Sequence, residues 1–400
     1  MEWIKELARE TAVSDQCQVL VVGGGFAGVS AALAAARCGK RVILLEREYM
    51  LGGLGTAGLI TIYLPICDGL GHQVCYGMND EFIRLSVKHG SEGRYPAHWF
   101  TQATAEERKN KMRFMVQYNP HLLAIELEAL LLDAGVEILY GTLACGTVLE
   151  NRRITAVIVE NKSGRSAIAV DSVIDCTGDA DIAAMSGVPT CINTDGNPLA
   201  AWYYHITDGQ LHLNQFGLAD VRNDMEDREQ TLTSNLRISG LDAKEVSRFV
   251  AAAHQAIGQD VEERRKRGAD TVPVTIATIP QLRMARRIQG ETTISQTIPP
   301  EQISDSVGLY SDWTKPGPVY ALPLRAMYHH TVSNLLVAGR CLSADHDMWN
   351  LTRVIPVCVV SGQAAGTAFG IGKDVDSLDI TQLQAMLKKA GVRLYPREIR

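Results

Sequence analysis

Residues 18–46 carry one uninterrupted pattern: QVLVV, GGGFAG, VSAALAAARCGK and RVILLE. The first run is apolar and β-branched, which predicts a buried parallel strand. Gly23-x-Gly25-x-x-Gly28 falls where that strand would turn into a helix. The Ala-rich run predicts the helix, closing near Cys38 with Gly39 as its C-cap. The last run predicts a second buried strand that ends in an acid, Glu46. Each part has a job in holding a dinucleotide. Gly23 permits the tight turn, Gly25 lets the backbone approach a pyrophosphate, and Gly28 lets the helix lie on the sheet. The helix start, with Phe26 and Ala27, offers free N–H groups and a partial positive charge. Glu46 is placed to accept from ribose hydroxyls. Glycine-rich turns are common and a lone GxGxxG says little; here strand, turn, helix, strand and acid agree.

The rest of the chain narrows the class. Its 400 residues leave room for two or three domains or for one large α/β body. Hydrophobic residues make up 46% and charged residues 21%, ordinary for a globular protein. A net charge of −6 without a basic stripe argues against a nucleic-acid partner. No apolar run reaches the roughly 18 residues of a membrane span. The opening MEWIKELARE is charged and amphipathic, so a short helix rather than a signal peptide is expected. The nine cysteines are scattered, and no CxxC occurs. Neither a zinc site nor a redox dithiol is supported, no metal is expected, and a reducing cytoplasm is.

Along the chain, Gly52, Gly53, Gly55 and Gly58 cluster around Thr56. Residues 60–120 are irregular and read as excursions toward a cofactor or an interface. EERKNK within 103–113 predicts a solvated helical face. Residues 120–134 predict an amphipathic helix opened by Pro120 and closed by Gly135. A strand follows at 136–140, then a hairpin of 154–160 and 166–170, then a separate buried strand from Ser172 into Thr177 and Gly178. Residues 190–330 differ in character, with Trp202, Tyr203, Tyr204 and His205, a charged helix over 242–267, and Arg283, Arg286 and Arg287. This block reads as an inserted lobe between a first part (1–189) and a last part (331–400). The last part holds a buried strand at 334–339 and an apolar helix over 354–370.

Four segments in this order carry a resemblance: VVGGGFAG with Glu46; LGGLGTAG; VIDCTGDADIAAMSGVP; and LLVAGRCLSADHDMWNLTRVIPVCVVSGQAAG. A fifth is the Arg-rich run from Leu282 to Gly290. Together they resemble flavoproteins of the glutathione-reductase type, and more narrowly the FAD-dependent oxidoreductase family. The resemblance covers most of the chain and is weakest over 190–280. It implies an α/β fold: a Rossmann-like FAD-binding domain of that type with an inserted α+β substrate lobe. It also implies FAD as cofactor, held by Gly23, Gly25 and Gly28, by Glu46 and Arg47 at the adenosine ribose, and by Ala144 at the adenine. Thr177 and Gly178 would close the adenosine end, Gly53 and Thr56 would line the flavin side, and Gly339 and Arg340 would lie by the pyrophosphate and ribityl chain. Many FAD proteins have Gly-Asp at this last motif; here Arg340 and Cys341 follow Gly339.

No second strand–GxGxxG–helix unit and no dithiol pair are found, so the organic substrate itself is expected to reduce the flavin. A base near the flavin serves alcohol or amine oxidation, and His205, His330 and His346 are candidates. Arg283 and Arg287 could bind a carboxylate or polarise a carbonyl. Cys67 and His72 could tether the flavin covalently. Three readings stay open: an oxidoreductase acting on a small polar substrate, a reductase subunit fed by a partner protein, and a non-catalytic FAD scaffold. The electron acceptor is left open, and a homo-oligomer is compatible with the chain.

Overall fold

The computed structural model describes residue 4 and residues 10–217 and 234–399. The expected N-terminal helix falls outside the described residues.

Five parallel strands lie side by side in the order Glu137–Leu139, Val42–Leu45, Val13–Val22, Gly164–Asp175 and Leu335–Val337. The inner strands are fully buried along Val19–Val22 and Val42–Leu45, and the helix Phe26–Arg37 packs on them. The strand Gly164–Asp175 does double duty. Along one edge it pairs parallel with Val13–Val22 from Ala167 to Asp175; along the other, its first half pairs antiparallel with Arg153–Asn161, which pairs with Leu143–Glu150, and its end pairs parallel with Leu335–Val337. The sequence suggests two strands here, and one is found. No Gly or Pro interrupts Val170, Asp171 and Ser172, so the extended chain runs on.

The helix Phe26–Arg37 packs against the helix Ile355–Ile371. Small residues make this contact close: a Cβ on Gly362 would lie 2.2 Å from the Ala27 carbonyl oxygen, and one on Gly366 would lie 2.1 Å from that of Ala31. The apolarity of Ile355–Ile371 is used inside the molecule, where nearly all its residues are buried. Among the described residues no single helix is long and apolar enough to cross a membrane. The helix Pro120–Asp133 is less amphipathic than its sequence suggests, since Leu122, Ile125 and Leu132 are exposed.

Residues of the expected lobe divide between two cores. Ala201–Thr207 is the centre of a three-stranded antiparallel sheet with Gln210–Phe216 and Thr271–Ile276. The helix Ala243–Lys266 covers one face, and Tyr203, Phe249, Ile257 and Val261 form a separate core there. Val307, Tyr310, Leu322 and Met327 instead belong to the large core, because the hairpin of Ser306–Ser311 and Val319–Pro323 lies on Ile355–Ile371. The 60–120 region contributes a two-stranded ladder, Ile62–Tyr63 with Val116–Gln117, and a helix, Met78–Ser86, against the same helix.

The parallel strands all end at one edge, and the loops that leave them (Gly23, Glu46, Cys176 and Gly339) meet there. Ligands of open α/β sheets bind at that edge.

Candidate functional site: a dinucleotide cleft

A cleft with an empty volume of about 1220 Å³, open to solvent, follows this edge. At one end lie Thr142, Leu143 and Ala144; in the middle Gly23, Gly25, Phe26, Ala27, Glu46, Arg47, Thr177 and Gly178. At the other end are Gly52 to Gly55, Gly339, Arg340, Arg353, Ile355 and Cys358, with Ile279, Pro280 and Leu282 from the lobe.

The glycine turn is built as its spacing suggests. Gly23 has φ +100°, and a Cβ there would lie 2.5 Å from the Cys176 carbonyl oxygen. A Cβ on Gly28 would lie 1.8 Å from the Gly23 carbonyl oxygen, so the helix can start here only without a side chain. Gly25 is different: a Cβ there meets nothing within 4 Å, because it would stand in the cleft. The second glycine loop docks on the first, with the Gly52 amide donating to the Gly24 carbonyl at 2.8 Å. Thr56 Oγ1 donates to the Leu51 carbonyl and holds the loop from behind.

Two helices start at the cleft with no side-chain cap and no acid in the first turn: Phe26–Arg37, from Gly25, and Ile355–Ile371, from Val354. Their amides are left for a negatively charged or carbonyl-bearing ligand. Glu46 is buried, and its oxygens accept the Gly24 amide at 2.7 Å and the Glu48 amide at 2.8 Å. Burial raises its pKa, and the two amides and Arg47 oppose that shift. Asp179 Oδ1 is buried without a hydrogen bond and lies 3.5 Å from Arg340 Nη2. Burial raises the Asp179 pKa as well, against the pull of Arg340.

A protein-family model described as FAD dependent oxidoreductase matches residues 18–201 and 199–387. The chain belongs to this FAD dependent oxidoreductase family. A curated relative, the mitochondrial 5-taurinomethyluridine-[tRNA] synthase subunit MTO1 of Macaca fascicularis, is 30% identical over 119 residues. That match spans 27% of this chain and only 16% of the relative's length. Among solved structures, a geranylgeranyl bacteriochlorophyll reductase-like protein from Thermoplasma acidophilum is 13% identical with a TM-score of 0.46, covering 94% of this chain and 83% of that one. The myxobacterial chondrochloren halogenase CndH is 12% identical with a TM-score of 0.45, covering 94% and 79%.

FAD is therefore the cofactor of this oxidoreductase, and the cleft fits it. The open space at Gly25, the two uncapped helix starts, the carboxylate of Glu46 and the unbonded Asp179 oxygen are what a dinucleotide needs in phosphate, ribose and hydroxyl partners. Of the residues expected at the cofactor, Gly23, Gly25, Phe26, Ala27, Glu46, Arg47, Gly53, Ala144, Thr177, Gly178, Gly339 and Arg340 line the cleft. Gly28 and Thr56 lie behind its wall and shape it.

None of the five residues expected in catalysis lines the cleft. His346 opens the short helix His346–Thr352 and turns outward to Asp195, with Nε2 2.9 Å from Oδ2. His330 is exposed and paired with Glu291 at 2.7 Å. His205 is buried inside the lobe against Tyr203 and His212. Arg283 is buried and donates to the Gly217 carbonyl. Arg287 lies over the Trp349 ring. Its neighbour Arg286 does reach the cleft edge, donating to Asp181 Oδ1 at 2.7 Å. The two arginines share a strand, and successive side chains on a strand face opposite ways. Cys67 and His72 are also away from the cleft: Cys67 Sγ accepts the Phe114 amide, and His72 pairs with Asp68. Outside the cleft, Glu291, His329 and His330 form one surface group that could hold a metal ion.

Residues missed from sequence are Thr142, Leu143, Asp179, Asp181, Arg353 and Cys358. Asp179 and Asp181 immediately follow Thr177 and Gly178, and that adjacency was the available signal.

Proposed function

We propose that this chain oxidises a small polar organic substrate, a sugar-like alcohol or an amine, by hydride transfer to FAD, with oxygen or another acceptor re-oxidising the cofactor. The observation that carries this reading is the lobe's closure over one end of the cleft. Ile279, Pro280 and Leu282 line that end, and Arg340 Nη1 donates to the Leu282 carbonyl at 2.7 Å and to that of Arg283 at 3.1 Å. A lobe seated this way supplies a seam in which a substrate can be recognised, as clefts between domains commonly do. The start of Ile355–Ile371 favours negative charge beside it. Bound FAD supplies the redox chemistry, while the chain supplies binding and orientation.

The cofactor part is read as the glutathione-reductase type, supported by the parallel strand order and by the antiparallel extension through Arg153–Asn161. Residues 190–330 are read as the substrate lobe, supported by the separate core within 199–282. A cytoplasmic setting is supported by nine free cysteines.

The test is an anaerobic panel of alcohols and amines added to the FAD-loaded protein. Loss of oxidised-flavin absorbance with one compound class is the expected result. A flavin that stays oxidised with every compound, yet bleaches when a reduced partner protein is added, would replace this reading with that of an electron-transfer subunit.

A further inference from the structure

Two segments distant in sequence are tied together just before the chain enters the strand Leu335–Val337. The Glu291 amide donates to the Tyr328 carbonyl at 3.0 Å, and the Thr292 amide to the Arg325 carbonyl at 3.1 Å. This pairing sets one carboxylate beside two imidazoles. One metal-ligating atom from each of Glu291, His329 and His330 lies within 4.8 Å of the other two. The two imidazole rings have centroids 4.2 Å apart. Glu291 and His330 are separated by 39 positions in the chain, so no spacing motif marks the cluster.

Each of the three side chains is already oriented. Glu291 Oε1 accepts from the His330 amide at 2.8 Å and lies 2.7 Å from His330 Nδ1. His329 Nδ1 accepts from the Thr331 amide at 3.2 Å and lies 2.7 Å from Thr331 Oγ1, which leaves Nε2 for a ligand. Metal-bound imidazoles are commonly fixed in this way, through the other ring nitrogen. The Val332 amide closes the turn on the His329 carbonyl at 3.2 Å. Arg152 Nε donates to the His330 carbonyl at 2.9 Å, and the Arg152 charge is offset by Asp376 at 3.2 Å.

The spacing suits a small dication. Two bonds of about 2.0–2.2 Å to one ion place their ligand atoms roughly 3–3.5 Å apart. His330 Nδ1 and Glu291 Oε1 therefore need to open by less than about 1 Å. The His330 and Glu291 side chains are 68% and 31% exposed, so they are free to make that adjustment and water can reach the ion.

We propose that Glu291, His329 and His330 bind one Zn²⁺, with water completing its coordination. Two imidazoles and a carboxylate suit Zn²⁺ and its neighbours Ni²⁺ and Cu²⁺, whereas Mg²⁺ and Ca²⁺ take oxygen ligands. None of the three residues lines the cofactor cleft. The ion clamps the segment at Glu291 to the loop that feeds Leu335–Val337, the strand that delivers Gly339 to the cleft. Its part is to brace that loop, not to join the redox step.

The experiment is calorimetric titration of the FAD-loaded protein, freed of metal with a chelator, with zinc chloride and, as a control, magnesium chloride. The expected result is one Zn²⁺ bound per chain at micromolar free metal, no response to Mg²⁺, and a higher melting temperature in Zn²⁺ by mass action. His329→Ala and Glu291→Gln should each weaken Zn²⁺ binding by about tenfold or more with FAD content unchanged. The nine free cysteines are the competing donors, and a thiol-held ion would keep its affinity in both variants. No stoichiometric Zn²⁺ binding, or binding that both variants leave unchanged, overturns the proposal. Should one variant fail to fold, the other still decides.

Discussion

Glu46 Oε2 accepts the Gly24 amide at 2.7 Å, so the acid that ends the second strand and the glycine turn that follows the first are one unit. Glu46 both lines the cleft and braces the turn.

Glu46→Ala removes both functions. A charged hydrogen bond contributes roughly 1.5–3 kcal/mol, so FAD affinity should fall about 10- to 100-fold. The apoprotein should also melt earlier, since the Gly24 and Glu48 amides lose their acceptor. Fluorescence titration with FAD and a melting curve check the two effects separately. Unchanged affinity would remove Glu46 from the cofactor site.

The three glycines of the turn should fail in different ways. Gly25 has φ −67°, which any residue can adopt, and a Cβ there stands in open space. Gly25→Val should therefore fold as an apoprotein and bind no FAD. Gly28→Ala drives a methyl into the Gly23 carbonyl oxygen, and overpacking of this kind costs about 1–3 kcal/mol or more. Low soluble yield or an early melt is expected for Gly28→Ala alone. Similar melting of both variants would contradict the assigned geometry.

His205 gives the lobe a pH dependence. Burial, reinforced by the positive charges of Arg264 and His212, pushes its pKa down from 6.5 to about 4. The folded state keeps the ring neutral, whereas the unfolded chain takes a proton below about 6.5. The contribution is fully present above pH 6.5 and is lost as pH falls toward 4, at no more than about 1.4 kcal/mol per pH unit. The melting temperature should fall across that window in wild type and fall less steeply in His205→Gln. Parallel profiles would show that another group titrates.

The cofactor half of the site was legible because its signals are local. Gly23, Gly25 and Gly28 answer to backbone geometry, Glu46 ends a strand, and Gly339 follows another, so sequence position fixes spatial position. The parallel sheet was legible for the same reason. The joining of 164–175 into one strand was not, because continuity across two pairings depends on partners far away in sequence. The expected catalytic residues were chosen by type. Nothing local distinguishes Arg286, which reaches Asp181, from Arg287, which lies over Trp349; the difference is the phase of a three-residue strand.

The central claim is that the cleft along the strand ends holds FAD. Acid release and quantitation of flavin from the purified protein, and from apoprotein incubated with FAD, test it most directly. The expected result is one FAD released intact per chain in wild type and none in Gly25→Val. Wild-type protein that carries no flavin and takes up none, or Gly25→Val that binds FAD as wild type does, would contradict it.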